Sequence, residues 1–179
     1  MLKSFCFTTD TTDISLAKYT TTLIYPLVYK DNTFAILPYQ TCTQEVQQWV
    51  ARAILEVWGE VANVNTMEDT INYILTNWRQ GDIFYVLFVN GILTGFVAMD
   101  EKNFYPWMSH LYIHPHFRRR GYAGVLIQFC KHYTIHRSFT EYRLFCKPEL
   151  VPFYTKHKFV QIANDTNLDD HVIMKRNCS

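Results

Sequence analysis

"LYIHPHFRRRGYAGVLIQF", residues 111–129, joins an apolar strand pattern to an apolar helix pattern through a basic turn that contains glycine. The strand pattern ends at Ile113, and the helix pattern begins at about Gly121. The first backbone N–H groups of a helix have no intrahelical partner, and the helix dipole adds partial positive charge there. Such a terminus binds anions when they can reach the backbone, and Gly121 has no Cβ to obstruct them. The stretch therefore predicts a strand, an anion-binding turn and a helix.

The three arginines of this turn leave several interpretations open when they are considered alone. They are typical of a nucleic-acid patch, of a solvated charge cluster, or of one wall of a phosphate-binding turn. The formal net charge of the chain is only +1, which argues against a dedicated nucleic-acid binder. The sequence has neither GxxxxGK[ST] nor GxGxxG, so the commoner nucleotide-binding loops are excluded.

Hydrophobic patterns on both sides of the stretch predict one α/β layer arrangement. Asn90-Gly91 between two apolar runs predicts a hairpin, Thr43 is the expected N-cap of the first helix, and Thr66 and Asp69 have the spacing of a capping box. In chain order we predict a strand at 33–40, helices from 44 and from 66, strands at 82–89, 92–100 and 107–113, a helix at 121–135, a strand at 141–146, a short helix at 149–158, and strands at 159–163 and 171–176.

Composition indicates a reduced, soluble protein. The five cysteines are scattered without a CxxC pair, which favours free thiols over a disulfide framework. The start of the chain has no signal-peptide pattern, and Asn90-Gly91 interrupts the most apolar segment, so we expect no membrane span. We therefore expect a cytoplasmic protein without membrane or nucleic-acid partners, and the histidines show no pattern that predicts a metal site.

Two motifs in order along the chain identify a family resemblance. Arg118-x-x-Gly121-x-Ala123 after an apolar strand matches the pattern Q/R-x-x-G-x-G/A, and "LFCKPELVPFYTKHKFV" at 144–160 matches a second family motif. Over roughly residues 33–176 the chain resembles the GNAT superfamily of acetyl-CoA-dependent N-acetyltransferases. The resemblance implies an α/β fold of GNAT type, with a mixed, mostly antiparallel central sheet that is flanked by helices and splayed to admit acetyl-CoA. It also implies a GNAT-like domain at 33–179 after an N-terminal extension at 1–32.

The resemblance also implies roles for individual residues. Tyr154 matches the tyrosine that protonates the leaving thiolate, and main-chain groups of the preceding strand would pair with the pantetheine arm, with an N–H near Ile113 polarising the thioester carbonyl. Backbone N–H groups from Arg118 to Gly124 would hold the pyrophosphate. The implied cofactor-binding residues are Leu111, Ile113, Arg118, Arg119, Arg120, Gly121, Tyr122, Ala123 and Gly124.

The sequence departs from the family pattern at several positions. Lys158 occupies the place of the usual glycine, which costs about 1 kcal/mol if that position has positive φ, and Lys147 stands where an asparagine is frequent. The usual base corresponds to Trp107 or Ser109, and neither side chain accepts a proton readily. Three other side chains are candidates for the base: His110, Glu141 and Tyr142.

The resemblance implies direct acetyl transfer from acetyl-CoA to an amine in a ternary complex. A small-molecule amine is favoured over a protein α-amine or lysine, because the chain shows no long acidic or basic docking segment. The alternative is a catalytically weak acyl-CoA-binding or regulatory module with this fold. A monomer and a homodimer both remain open.

Overall fold

A computed structural model describes residues 27–29, 32–79, 83–100, 104–165 and 171–178, and most of the predicted extension at 1–32 lies outside them. Every helix and strand expected between residues 33 and 176 is present. The elements are β1 (Leu27–Tyr29), β2 (Asn32–Pro38), α1 (Gln44–Ala62), α2 (Met67–Arg79), β3 (Ile83–Val89), β4 (Ile92–Asp100), β5 (Trp107–Ile113), α3 (Tyr122–His136), β6 (Glu141–Cys146), α4 (Val151–Lys156), β7 (Val160–Asp165) and β8 (His171–Asn177).

One compact unit contains the described residues up to Ile74 together with Phe84–Phe96. Its strands follow the order β1-β2-β3-β4, and β2 pairs antiparallel with both β1 and β3. The predicted hairpin is confirmed: Asn90 and Gly91 have φ of 51° and 76°, which Asn and Gly tolerate best. The Asn90 side chain also accepts a 2.8 Å hydrogen bond from the Thr33 N–H, so it ties the turn to β2.

Helix α1 packs against strand β4 of this first unit through its aromatic side chains. The Trp49 and Trp58 rings lie 6.1 and 6.2 Å from the Phe96 ring on β4. At the start of α2 the predicted capping interaction is confirmed, since the Asp69 N–H donates to Thr66 Oγ1 at 3.1 Å. Thr43 is the N-cap residue of α1 as expected, but its side chain makes no capping hydrogen bond.

The second unit contains Leu75–Ile83 and the described residues from Val97 onward. Its strands follow the order β4-β5-β6-β8-β7, where β5 and β6 are parallel and β8 is antiparallel to both β6 and β7. Helix α3 covers one face, because the Tyr142 hydroxyl on β6 donates to the Ile127 carbonyl at 3.1 Å. The fold is therefore α/β with a mixed, mostly antiparallel sheet flanked by helices, as the sequence predicted.

Candidate active site

The turn between β5 and α3 leaves the start of α3 open to an anion. Arg119 and Gly121 both have positive φ, 60° and 86°, and Gly121 is the N-cap residue of a helix that begins at Tyr122. No side chain caps this helix, and its first turn has no acidic residue. Because Gly121 is also exposed, neither a capping side chain nor a carboxylate of this helix's own first turn competes with an incoming anion for the backbone N–H groups.

The three arginines of the turn have different surroundings. Arg118 Nε donates to the Ile113 carbonyl at 2.9 Å, so this side chain fastens the turn to the end of β5. Arg120 lies over the Phe117 ring at 5.8 Å, and Arg119 is exposed. The turn therefore combines one arginine with a structural hydrogen bond and two arginines whose charge faces solvent.

Gly124 has a packing role beside its predicted role in cofactor binding. A Cβ at this position would lie 3.1 Å from Cε1 of His157, which follows α4. The Gly124 N–H also donates to the Gly121 carbonyl at 2.9 Å. The missing side chain thus allows α3 to pack closely against the end of α4, which carries Tyr154.

Strands β5 and β6 separate soon after they meet. Their register contains the single pair Trp107 and Arg143, and His110 in the middle of β5 has φ of 50°. The alternation of faces that a regular strand shows is therefore interrupted at His110, and Tyr112 and Ile113 are both buried, 7% and 8% exposed. A left-handed residue redirects a strand and interrupts its ladder, which leaves the predicted pantetheine strand free of pairing with β6.

Tyr154 lies in α4 on the same side of the second unit as α3. Its ring packs at 5.5 Å against Phe159, which in turn contacts Tyr142 at 5.2 Å. The side chain is 8% exposed, and burial, with smaller contributions from Cys146 and Cys130, raises the pKa of Tyr154 well above its usual value. The phenol therefore keeps its proton at neutral and alkaline pH and remains a hydrogen-bond donor.

The structure commits two of the three candidate bases to other interactions. Glu141 accepts hydrogen bonds from Arg143 and Lys175, both at 2.9 Å, and these bonds outweigh the effect of burial and lower its pKa. Tyr142 is fully buried. His110 lies 3.1 Å from Ser109 Oγ, and burial lowers its pKa to about 4, so its imidazole is neutral at pH 7 and is a weak base.

A pocket of about 780 Å³ opens beside the point where β5 and β6 meet, and we call it the aromatic pocket. Arg143, at its wall, lies 3.8 Å over the Tyr105 ring, and Trp107 and Phe145 stack at 4.3 Å with an interplanar angle of 14°. No sequence motif predicts this pocket, because its described residues come from a loop and from three strands, β4, β5 and β6. Its described lining consists of Asp100, Phe104, Tyr105, Trp107, Met108, Ser109, Arg143 and Phe145.

The part of the chain that the structure describes holds no group of three metal-ligating side chains. None of the helices in that part is both long enough and apolar enough to cross a membrane.

A sequence profile identifies the family of the chain, and solved structures share its fold. A sequence profile for the acetyltransferase (GNAT) domain matches residues 40–175, whereas no curated protein matches the chain. An aminoglycoside 6'-N-acetyltransferase complexed with coenzyme A is similar in structure with a TM-score of 0.67 and 11% identity, over 80% of this chain and 97% of that one. The PaiA N-acetyltransferase of Thermoplasma acidophilum, also in complex with coenzyme A, has a TM-score of 0.58 and 16% identity, over 81% and 99%. Ard1 of Thermoplasma volcanium has a TM-score of 0.60 and 18% identity, over 80% and 97%.

Proposed function

The chain belongs to the GNAT acetyltransferase family, and on that premise we propose that it transfers an acetyl group directly from acetyl-CoA to the nitrogen of an amine. Acetyl-CoA is the cosubstrate in GNAT proteins, and two of the similar structures hold coenzyme A. The observation that carries the proposal is the uncapped start of α3 at the end of a strand that has left its parallel neighbour. That arrangement supports a place for a diphosphate and, behind it, for an extended pantetheine arm.

The proposed contacts of the cofactor follow from the backbone. Leu111 and Ile113 would pair with the pantetheine arm through main-chain groups, as an added strand does. The Ile113 carbonyl already accepts from Arg118, so its second lone pair remains for the ligand. The turn from Arg118 to Gly124 would hold the pyrophosphate, with Arg119 and Arg120 as exposed positive charges.

The proposed chemistry forms an N–C bond while the C–S bond of the thioester breaks. The amine loses a proton and the departing thiolate gains one, and Tyr154 is the proposed donor to the sulfur. Burial raises the pKa of Tyr154, but the same environment also raises the pKa of a thiol at that place. The two groups are therefore better matched than the tyrosine alone suggests, and a hydrogen bond from the phenol stabilises the developing negative charge.

The proton of the amine needs a different acceptor. Since Glu141 is held by Arg143 and Lys175 and Tyr142 is fully buried, neither supports the role of base. We propose that the proton leaves through water, and that His110 contributes only as a neutral hydrogen-bond partner next to Ser109.

None of the three candidate bases is readily available in the described residues, and this motivates the alternative function, an acyl-CoA-binding module with little catalytic activity. Lys158 also departs from the family pattern, because it has φ of 66° where the family usually has glycine. This departure likewise favours the binding module. The two functions differ in whether an amine releases coenzyme A from bound acetyl-CoA.

The experiment measures release of coenzyme A from acetyl-CoA over a panel of amines, together with thermal stabilisation by acetyl-CoA. We expect Tyr154→Phe to lower kcat by about 100-fold with little change in the KM for acetyl-CoA. Tyr39→Phe, which removes another mostly buried tyrosine hydroxyl, is the matched control and should keep wild-type kcat.

Three results would change the assignment. Stabilisation by acetyl-CoA without turnover on any amine supports the binding module. Full activity of Tyr154→Phe removes Tyr154 from the mechanism. If acetyl-CoA causes no stabilisation and no amine gives turnover, both functions are contradicted.

We also propose a compartment and a domain boundary for this protein. The four described cysteines are free thiols, which supports a reducing compartment, and we propose the cytoplasm. We also keep the proposed division into an extension at 1–32 and an acetyltransferase domain at 33–179.

A further inference from the structure

We propose that the aromatic pocket receives the acceptor, and that the acceptor is a monoamine with an aromatic ring. This inference rests on the proposed acetyltransferase function, which leaves the amine undefined. Three independent features of the pocket support this inference. They are the face of the sheet on which the pocket lies, the aromatic rings that form its wall, and the charged side chains of its lining.

The pocket lies on the face of β6 opposite to α3. Along β6, Tyr142, Leu144 and Cys146 are buried, whereas Arg143 is half-buried and Phe145 is 42% exposed. Tyr142 contacts α3, so Arg143 and Phe145 project from the other face, because side chains alternate along a strand.

Tyr154 lies on the α3 face, since Phe159 links its ring to Tyr142. An acceptor in the pocket and the proposed proton donor thus approach the gap between β5 and β6 from opposite faces. Ser109, which lines the pocket, precedes the proposed pantetheine contact Leu111 by two residues. An amine in the pocket would therefore add to the thioester carbonyl from one face of the sheet, and the departing thiolate would receive its proton from Tyr154 on the other face.

The wall of the pocket offers flat apolar surfaces. Trp107 and Phe145 stack as a pair, and the neighbouring Phe104 is 95% exposed. Large aromatic side chains are rarely left so exposed without a partner, and a second ring stacks favourably on such a surface. A volume of about 780 Å³ lies in the range of small-molecule sites.

The charges of the pocket suit a single ammonium group. Arg143 pairs with Glu141 at 2.9 Å, a carboxylate that it shares with Lys175, and its guanidinium stacks on Tyr105. Asp100 is the carboxylate of the described lining, and the faces of Trp107 and Phe145 attract cations. A polycationic aminosugar needs several carboxylates, so the described lining favours a monoamine.

The test compares phenethylamine with ethylamine, which has no ring, and with an aminoglycoside and a peptide N-terminus as other acceptor classes. Release of coenzyme A gives kcat and KM. Titration of Trp107 fluorescence gives amine binding without turnover, and Trp107→Phe identifies the part of the signal that comes from this residue.

We expect phenethylamine to have a KM about tenfold below that of ethylamine, and Phe145→Ala to remove that difference. The KM for acetyl-CoA should stay unchanged in this variant. Phe145→Leu, which keeps apolar volume without a ring, should recover only part of the preference. Val160→Ala, at an exposed apolar residue on β7, should behave as wild type.

The outcomes separate this inference from the proposed function. Equal KM values for both amines, an aminoglycoside or peptide as the best acceptor, or an unchanged preference in Phe145→Ala overturns the inference while acetyl transfer stands. Saturable quenching of Trp107 by phenethylamine without turnover contradicts acetyl transfer but supports the ligand class. If phenethylamine causes neither quenching nor turnover, the inference is overturned.

Discussion

Replacement of Lys158 by glycine should stabilise the protein, because Lys158 has a backbone conformation that favours glycine. The residue follows α4 with φ of 66°. Its N–H donates to the Thr155 carbonyl at 2.9 Å, and the next N–H, that of Phe159, donates to the Tyr154 carbonyl at 3.1 Å. These two bonds form a Schellman motif, in which the left-handed position is most often glycine.

The magnitude follows from three opposing effects. A non-glycine residue in the left-handed region costs about 1–2 kcal/mol. Glycine loses about 0.5–1 kcal/mol of that gain through the larger entropy of its unfolded chain, and removal of a lysine from a helix C-terminus costs about 0.3 kcal/mol. Lys158→Gly should therefore raise the free energy of unfolding by about 0.5 kcal/mol and the Tm by about 1–2 °C.

The assay is urea unfolding followed by circular dichroism, with the midpoint and the m-value compared between variants. Lys158→Ala is the matched control, because it removes the same charge and keeps the strained φ, and it should be no more stable than the wild type. Ser138→Gly provides a second test, since Ser138 has φ of 65° after α3, and its N–H and that of Phe139 make the same pair of bonds. The reasoning is refuted if Lys158→Gly is no more stable than Lys158→Ala at equal m-values.

Other consequences concern the turn, α2, the ion pairs of β6 and the proposed acid. Gly121→Val should abolish the thermal shift caused by coenzyme A, because φ of 86° at residue 121 is strained for a β-branched side chain. Arg120→Ala should only reduce that shift. A normal shift in the valine variant would contradict the pyrophosphate turn. Thr66→Ala should cost about 1 kcal/mol in urea unfolding through loss of the capping bond, and an unchanged midpoint would count against it. The pKa of Glu141 is lower in the folded chain than in the unfolded chain. The stability that Glu141 contributes is therefore present above its unfolded pKa and is lost as the pH falls through its folded pKa. Below about pH 4 the wild type should lose its advantage in Tm over Glu141→Gln, and a difference in Tm that does not change with pH would refute this. Because burial raises the pKa of Tyr154, kcat should show no loss from its ionisation below pH 10, whereas a fall that disappears in Tyr154→Phe would contradict that environment.

Local patterns determined most of the elements of this protein. The Asn90-Gly91 pair, the Thr66 and Asp69 spacing and the apolar periods each depend on residues that are near one another in the chain, so the sequence alone predicted them. The same holds for the turn before α3, because the positive φ of Gly121 and the open helix terminus are local properties. The departure at Lys158 was also visible in the sequence, and the structure confirms its positive φ.

Tertiary structure decided what surrounds the site. No local rule predicts that β5 leaves β6 after one pair, or that His110 breaks the alternation of its strand. Likewise, the pairing of Glu141 with Lys175 on the neighbouring strand β8 removed a candidate base through a contact 34 positions apart in sequence.

The aromatic pocket shows the same limit most clearly. Trp107 and Phe145 belong to strands whose sequences are unrelated, and only the parallel register of Trp107 with Arg143 brings their rings together. The sequence by itself thus determined the elements and the open turn before α3, which depend on neighbouring residues. The tertiary structure decided which side chains line the aromatic pocket, because that depends on strand register and on which face of the sheet each residue occupies.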